Sequence, residues 1–223
     1  MGKTRIVLFG SFYRGYYLLD ELLHGPLSDR FLVTGVATDD VSSTFISRDR
    51  RVWQYPHRVE EELMVEKIAD ANRIPVHKGR VKAPDFYETY EQVWMPDICI
   101  GATFGQRIDE RLLSYPPLGF FNVHPSSGDQ WPSRFAGPNP FKAMLEEPLS
   151  CMNAAFHRMN EGIDAGELIA FSPRMAIPPF ATVVDMHKLS SPLLGRFATS
   201  ELAKIVDAAA PANTFDVIEG APN

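Results

Sequence analysis

Short apolar runs alternate with helical patterns through the first two-thirds of this chain, and few folds accommodate that order. Ile6 to Phe9 is an apolar run ending at Gly10-Ser11. Tyr17, Leu18, Leu19, Leu22 and Leu23 then recur at helical spacing until Gly25-Pro26 stops them. Phe31 to Ala37 reads as a second buried strand. Glu60 to Asn72 reads as a helix whose acidic first turn suits the helix dipole. Strands are expected again at Ile74 to Val76, Asp97 to Ala102 and Gly119 to Val123, with helices at Asp85 to Trp94 and Glu110 to Leu113 between them. Strand–helix–strand repetition means parallel pairing through crossovers. The expected fold class is therefore α/β: a Rossmann-like, doubly wound, mostly parallel sheet.

In the last third, Pro138 to Glu146 reads as a helix, and Cys151 to Arg158 and Glu167 to Ile177 as two strands. Thr182 to Ala208 reads as a long amphipathic C-terminal helix, with Pro192 as a point where it can break. Residues 1–208 are read as one domain and 209–223 as a fraying tail. With 223 residues, 45% of them hydrophobic, the chain can bury one substantial core. A net charge of -6 without long runs of one sign argues against a nucleic-acid partner. Cys99 and Cys151 lie in apolar, strand-like segments and are expected to be buried free thiols, as in a reducing compartment. Cys-x-x-Cys spacing is absent and no metal is expected. With no signal peptide and no apolar run of membrane length, a cytoplasmic protein without a membrane partner is expected. The irregular segments 42–57 and 127–135 are long enough to be lids, acceptor walls or subunit contacts, and a homodimer stays open.

Doubly wound sheets bind ligands outside the C-terminal ends of their strands. Gly10-Ser11, Thr103-Phe104-Gly105 and Asn122-Val123-His124-Pro125-Ser126 all fall at such ends, and Asp164 follows in the turn Gly162-Ile163-Asp164-Ala165-Gly166. An amide donor, an imidazole and a carboxylate are what acyl transfer to an amine requires: one polarises the carbonyl, one moves a proton, one orients the mover. A carboxylate near His124 is expected to raise the imidazole pKa. Each residue also has a plainer reading. Asn122 and Asp164 suit turns, and His124 suits a surface. Gly10 and Gly15 suit tight strand-to-helix packing better than a phosphate cradle. His157 is either a support for the site or a buried structural histidine. Trp131 and Phe135 look exposed, as packing anchors or a stacking wall. Arg14, Arg134 and Lys142 read as solvated cations, with contact to an acceptor anion as the lesser alternative.

Gly101 to Ile108, Pro117 to Ser126 and Gly162 to Gly166 resemble the folate-dependent formyltransferase family, over roughly residues 5–190. That family includes methionyl-tRNA formyltransferase, glycinamide ribonucleotide formyltransferase and the amino-sugar N-formyltransferases. The resemblance implies the family's single-domain fold with a C-terminal helix and an enzyme taking its formyl group from 10-formyltetrahydrofolate. It implies Asn122, His124 and Asp164 as the catalytic set. Phe104, Gly105, Gln106, Arg107, Ile108, Gly162 and Ile163 would line the folate pocket. The chain departs from the pattern in three places. The family's Leu-Leu-Pro stretch is replaced by the more polar run from Ser127 to Gly137. The first turn, Gly10-Ser11-Phe12-Tyr13-Arg14-Gly15, lacks a glycine-rich phosphate loop. tRNA formylation would imply an extra C-terminal domain, and none is expected here. The implied acceptor is a small-molecule amine, either an amino sugar on a nucleotide or an ornithine-type compound. The alternatives are a formyltetrahydrofolate hydrolase and a folate-binding protein with little turnover.

Overall fold

The computed structural model describes residues 2–47 and 51–210. Five strands form its parallel part: β1 (Thr4–Gly10), β2 (Phe31–Ala37), β3 (Val76–His77), β4 (Ile98–Ala102) and β5 (Phe120–Ser126). β6 (Cys151–Arg158), β7 (Leu168–Phe171) and β8 (Met175–Ala176) complete the sheet. The order is β3-β2-β1-β4-β5-β6-β7, with β8 also on β6. Pairing is parallel from β3 to β5 and antiparallel at β6, β7 and β8. The chain winds outward from β1 through β2 and β3, then returns to place β4 on the other side of β1. The crevice at the C-terminal ends of β1 and β4 is thus the topological switch point, where such sheets hold ligands.

Alternation along β1 divides the core. Ile6 and Leu8 face one layer, built with α1 (Phe12–His24), α3 (Met64–Ala71) and α7 (Val183–Ala209). Val7 and Phe9 face the other, built around Phe86, Tyr90, Trp94 and Leu112. A short helix, α2 (Val59–Glu62), precedes α3. α4 (Pro84–Glu88) runs directly into a π-helical turn, Thr89–Trp94, and α5 (Glu110–Ser114) follows β4. α6 (Pro140–Leu145) lies between β5 and β6.

Several expected boundaries move for identifiable reasons. β5 runs to Ser126 rather than ending near Val123, because β6 pairs with it through Asn122–His157, His124–Ala155 and Ser126–Asn153. The expected strand from Glu167 to Ile177 is two strands. Pro173 has no N–H to give, and Ser172 between them bonds to Ala154 through both its backbone and its hydroxyl. α7 continues through Pro192. Leu194, Ala198 and Leu202 clamp it to the core, and Gly195 lets its backbone approach Tyr17 closely. Cys99 is buried as expected, but Cys151 is only half-buried. Gly15 has the packing role: a Cβ there would lie 2.6 Å from the Gly10 carbonyl carbon. Pro211 to Asn223, most of the expected tail, fall outside the described residues.

Candidate active site

A cavity of about 700 Å³ opens at the switch point, within the range of small-molecule sites. Asn122 and His124 lie two residues apart on β5 and so share one face of the sheet. Phe120, earlier on that face, is core; the two polar side chains continue the row past the core edge and line the cavity. Asp164 comes from the loop after β6. It has φ 47°, a left-handed conformation that Asp tolerates better than most residues. Glycine is needed close by: a Cβ on Gly166 would lie 1.7 Å from the Arg158 carbonyl oxygen. Trp131 donates its indole N–H to the Gly166 carbonyl at 2.7 Å, pinning the far side of the loop.

These elements bring the three side chains together. His124 Nδ1 lies 3.3 Å from Asp164 Oδ1. Asn122 Nδ2 donates to the same oxygen at 3.3 Å. The other carboxylate oxygen accepts the Gly137 backbone N–H at 2.9 Å. His124 Nε2 faces the Phe135 carbonyl at 3.0 Å. Both imidazole nitrogens therefore face acceptors, an arrangement suited to the protonated ring. Burial nevertheless outweighs it: desolvation is the largest influence on His124 and sets its pKa below the usual imidazole value, despite the opposing charge of Asp164. The expected upward shift is thus reversed in sign.

His157 backs the site. It is 2% exposed, and burial lowers its pKa to about 4. Its Nδ1–H donates to the Arg158 carbonyl at 3.2 Å, which leaves Nε2 to accept from Asn122 Nδ2 at 3.3 Å. The Asn122 amide thus has one N–H on a neutral imidazole and one on a carboxylate.

The segment 104–108 forms another wall, and Phe104, Gly105, Gln106, Arg107 and Ile108 all line the cavity, as do Gly162 and Ile163. Phe104 packs edge-on to Phe9, with ring centroids 5.5 Å apart. Gln106 accepts the Val81 N–H and donates to the Gly79 carbonyl, so its side chain ties the segment down. Arg107 is exposed and donates to the Glu161 carbonyl at 2.6 Å, linking the two loops.

The sequence reading missed Asp39 and Arg51. Asp39 Oδ2 meets Arg51 Nη1 at 2.7 Å in a buried ion pair and also accepts the Gly105 N–H at 2.9 Å. Burial raises the Asp39 pKa even beside that cation. Asp39 follows the end of β2, the same strand-end signal that located Gly10 and Thr103; Arg51 carried no signal. His187 on α7, buried and lining the cavity, was also missed. One reading of the long 127–135 segment needs correction: Phe135 is buried rather than exposed. Arg134 is exposed, as read, and pairs with Glu147 at the surface. Arg14, read as solvated, is buried and lines the cavity.

The pattern of the formyl transferase family matches residues 38–189, a stretch that holds every residue of the Asn122–His124–Asp164 cluster. The chain belongs to the formyl transferase family. Members of this family use 10-formyltetrahydrofolate as the formyl donor. The chain is 28% identical over 169 residues to a methionyl-tRNA formyltransferase of Thermotoga sp. (strain RQ2), covering 75% of this chain and 49% of that protein. It thus spans about half the length of the curated relatives it matches. The fold is shared with glycinamide ribonucleotide transformylase 1 from Symbiobacterium toebii, at TM-score 0.69 and 16% identity over 93% of this chain and 90% of that one. A formyltetrahydrofolate deformylase from Pseudomonas syringae pv. tomato is also similar, at TM-score 0.66 and 19% identity over 95% and 64% of the two chains. Among the described residues of this formyl transferase family member, no helix is long and apolar enough to cross a membrane.

Proposed function

We propose that this protein transfers the formyl group of 10-formyltetrahydrofolate to the amine of a small molecule, with Asn122, His124 and Asp164 as the catalytic residues. The observation that carries this reading is one carboxylate, Asp164, shared by the His124 ring and the Asn122 amide at the wall of the switch-point cavity. Phe104 to Ile108 with Gly162 and Ile163 form the folate-binding walls. The amine nitrogen attacks the formyl carbon, and the carbonyl oxygen becomes an oxyanion. Asn122 gives up its bond to Asp164 and turns that N–H onto the oxygen, while His157 keeps the other; a donor so placed is worth roughly 3 kcal/mol in the barrier. The His124–Asp164 pair takes the proton that the attacking nitrogen loses. It delivers a proton to the folate nitrogen as the carbon–nitrogen bond breaks, so the pair ends as it began. A neutral His124 suits the first of these tasks, because it begins the cycle able to accept.

The acceptor class is an amino sugar on a nucleotide or an ornithine-type amine, in keeping with an acidic chain. The similarity to a formyltetrahydrofolate deformylase favours one second reading, in which water replaces the amine. Incubation with 10-formyltetrahydrofolate, with and without a panel of amines and formylatable tRNA, separates the cases. Loss of the formyl group only when a small amine is present supports the transferase. Loss without any amine replaces it by hydrolysis, transfer to tRNA alone replaces the acceptor class, and binding without loss removes the catalytic reading.

A further inference from the structure

Beside the reactive cluster, the same cavity is bordered by a cation that the chemistry above does not use. Arg14 on α1 is 4% exposed and borders the same cavity. Among the described residues, its one hydrogen bond runs from Nη1 to the Val123 carbonyl at 3.4 Å, beside His124 in sequence. Among the described residues, Nε and Nη2 have no hydrogen-bond partner. These two N–H groups lie on the same edge of the guanidinium and point the same way, forming the fork that receives a carboxylate or phosphate through two parallel bonds.

The nearby anion does not fill this role. Asp164 acts on Arg14 only through its charge; its own oxygens are committed to His124, Asn122 and the Gly137 N–H. Ser11, at the start of the same helix, is occupied by Thr38 and the Asp39 N–H. A buried guanidinium with an open fork is unfavourable unless something completes it, and native interiors rarely leave such groups unsatisfied. Burial depresses the Arg14 pKa to about 10, which still leaves it charged at neutral pH. His187 stands in the same place: it packs edge-on to Phe141 at 4.8 Å, the ring over which Arg14 lies at 5.4 Å. Its Nδ1 is also buried and unpartnered, and desolvation followed by the Arg14 charge keeps it neutral.

We propose that the unpartnered edge of Arg14, shut off from solvent in this structure, receives an anionic group of the acceptor when the acceptor enters the cavity, so that the protein selects amines that also carry a carboxylate or a phosphate, with His187 offering Nδ1 to a neighbouring polar group. This rests on the acceptor reading above and assigns the residue that holds the acid such an acceptor carries. It does not require a glycine-rich phosphate loop at the first turn, which this chain lacks.

Two measurements test it. In the first, thermal unfolding of the full chain is followed against inorganic phosphate, acetate or chloride at matched ionic strength, for the wild type and Arg14→Met. Phosphate, acetate or both should raise the wild-type Tm where chloride does not, and Arg14→Met should lose that response. A response to phosphate alone assigns a phosphorylated amine; a response to acetate assigns a carboxylate. Arg14→Lys, which keeps the charge but not the fork, should need about tenfold more anion, and it stands in if the Met variant does not fold. An absent wild-type response, or an equal one in wild type and variant, overturns the proposal. In the second, amines bearing an acid are compared with the same amines as neutral amides or dephosphorylated forms. Acid-bearing members should lead in kcat/KM by about tenfold or more, and equal use of both overturns the proposal. If no amine is formylated at all, the transferase reading fails while the anion titration still decides the fate of Arg14.

Discussion

Nδ1 of His124 lies 3.3 Å from Oδ1 of Asp164, although one residue sits within a central strand and the other in a loop beyond the next strand. The antiparallel return of β6 along β5 produces this meeting. It carries the chain back beside Asn122 at His157 and releases it into the Asp164 loop at the edge of the cavity.

His124→Ala is expected to reduce kcat by about a hundredfold or more, the scale of a lost positioned proton carrier. Affinity for 10-formyltetrahydrofolate should change little, because the folate-binding walls proposed at Phe104 to Ile108 do not include this ring. Steady-state kinetics with a parallel folate titration measure both, and near-normal kcat would remove His124 from the chemistry.

Asp164→Asn preserves size while removing the charge. That charge raises the His124 pKa against the larger downward effect of burial. The imidazole should therefore become harder to protonate, and the acid limb of the pH–rate profile should move to lower pH. Turnover should fall by about a hundredfold, since the proton relay loses its carboxylate. A profile of unchanged shape in the variant would show that Asp164 and His124 do not act together.

Acid should destabilise this protein well before its carboxylates titrate. His157 has a folded pKa of about 4 against an ordinary 6.5. Between those values the unfolded chain binds a proton that the folded one refuses, so stability falls as pH drops from 6.5 towards 4. The full effect for this one group is about 3 kcal/mol. His124 and His187, also shifted down, act in the same direction, whereas Asp39, shifted up, opposes them. Protonation would also place an N–H against the Asn122 amide, disturbing the site as the fold weakens. Urea unfolding from pH 7.5 to 4.5 measures the slope, and His157→Gln should flatten it. An identical slope in the variant would assign the acid sensitivity elsewhere.

The parallel half of the sheet was legible because each of its strands is an apolar run bounded by turn residues, and the strand-end rule then located Asn122 and the 103–105 turn. Four kinds of information were not legible. The pairing partner that lengthens β5 to Ser126 lies some thirty residues downstream, so no local pattern marks the true strand end. Burial of polar groups also escaped: Arg14 sits on a helix among tyrosines and reads as solvated, yet the cavity and Phe141 enclose it. The sign of the His124 shift depends on how much water the fold removes, and the expectation counted only the neighbouring charge. Ion pairs such as Asp39–Arg51, between residues on an irregular stretch, have no periodicity to betray them.

That last pair yields a prediction joining stability to binding. Asp39 neutralises the buried Arg51 guanidinium and holds the Gly105 N–H, so it couples the stretch after β2 to the wall at 104–108. Among the described residues, Arg51 Nε and Nη2 have no partner, and Gly105 is packed so closely that a Cβ would lie 2.0 Å from the guanidinium carbon. Asp39→Ala leaves this cation buried and uncompensated, a loss of about 3–5 kcal/mol. Asp39→Asn keeps an acceptor and should lose less. Because the Gly105 N–H is freed in the Ala variant, folate affinity should weaken along with stability. Replacing the whole pair, Asp39→Leu with Arg51→Met, should recover much of the stability, since two well-packed apolar side chains commonly match a buried ion pair, but should not restore the anchor for Gly105. Urea unfolding and folate titration of the four proteins measure this; a double variant that recovers binding as fully as stability would show that the pair serves the fold alone.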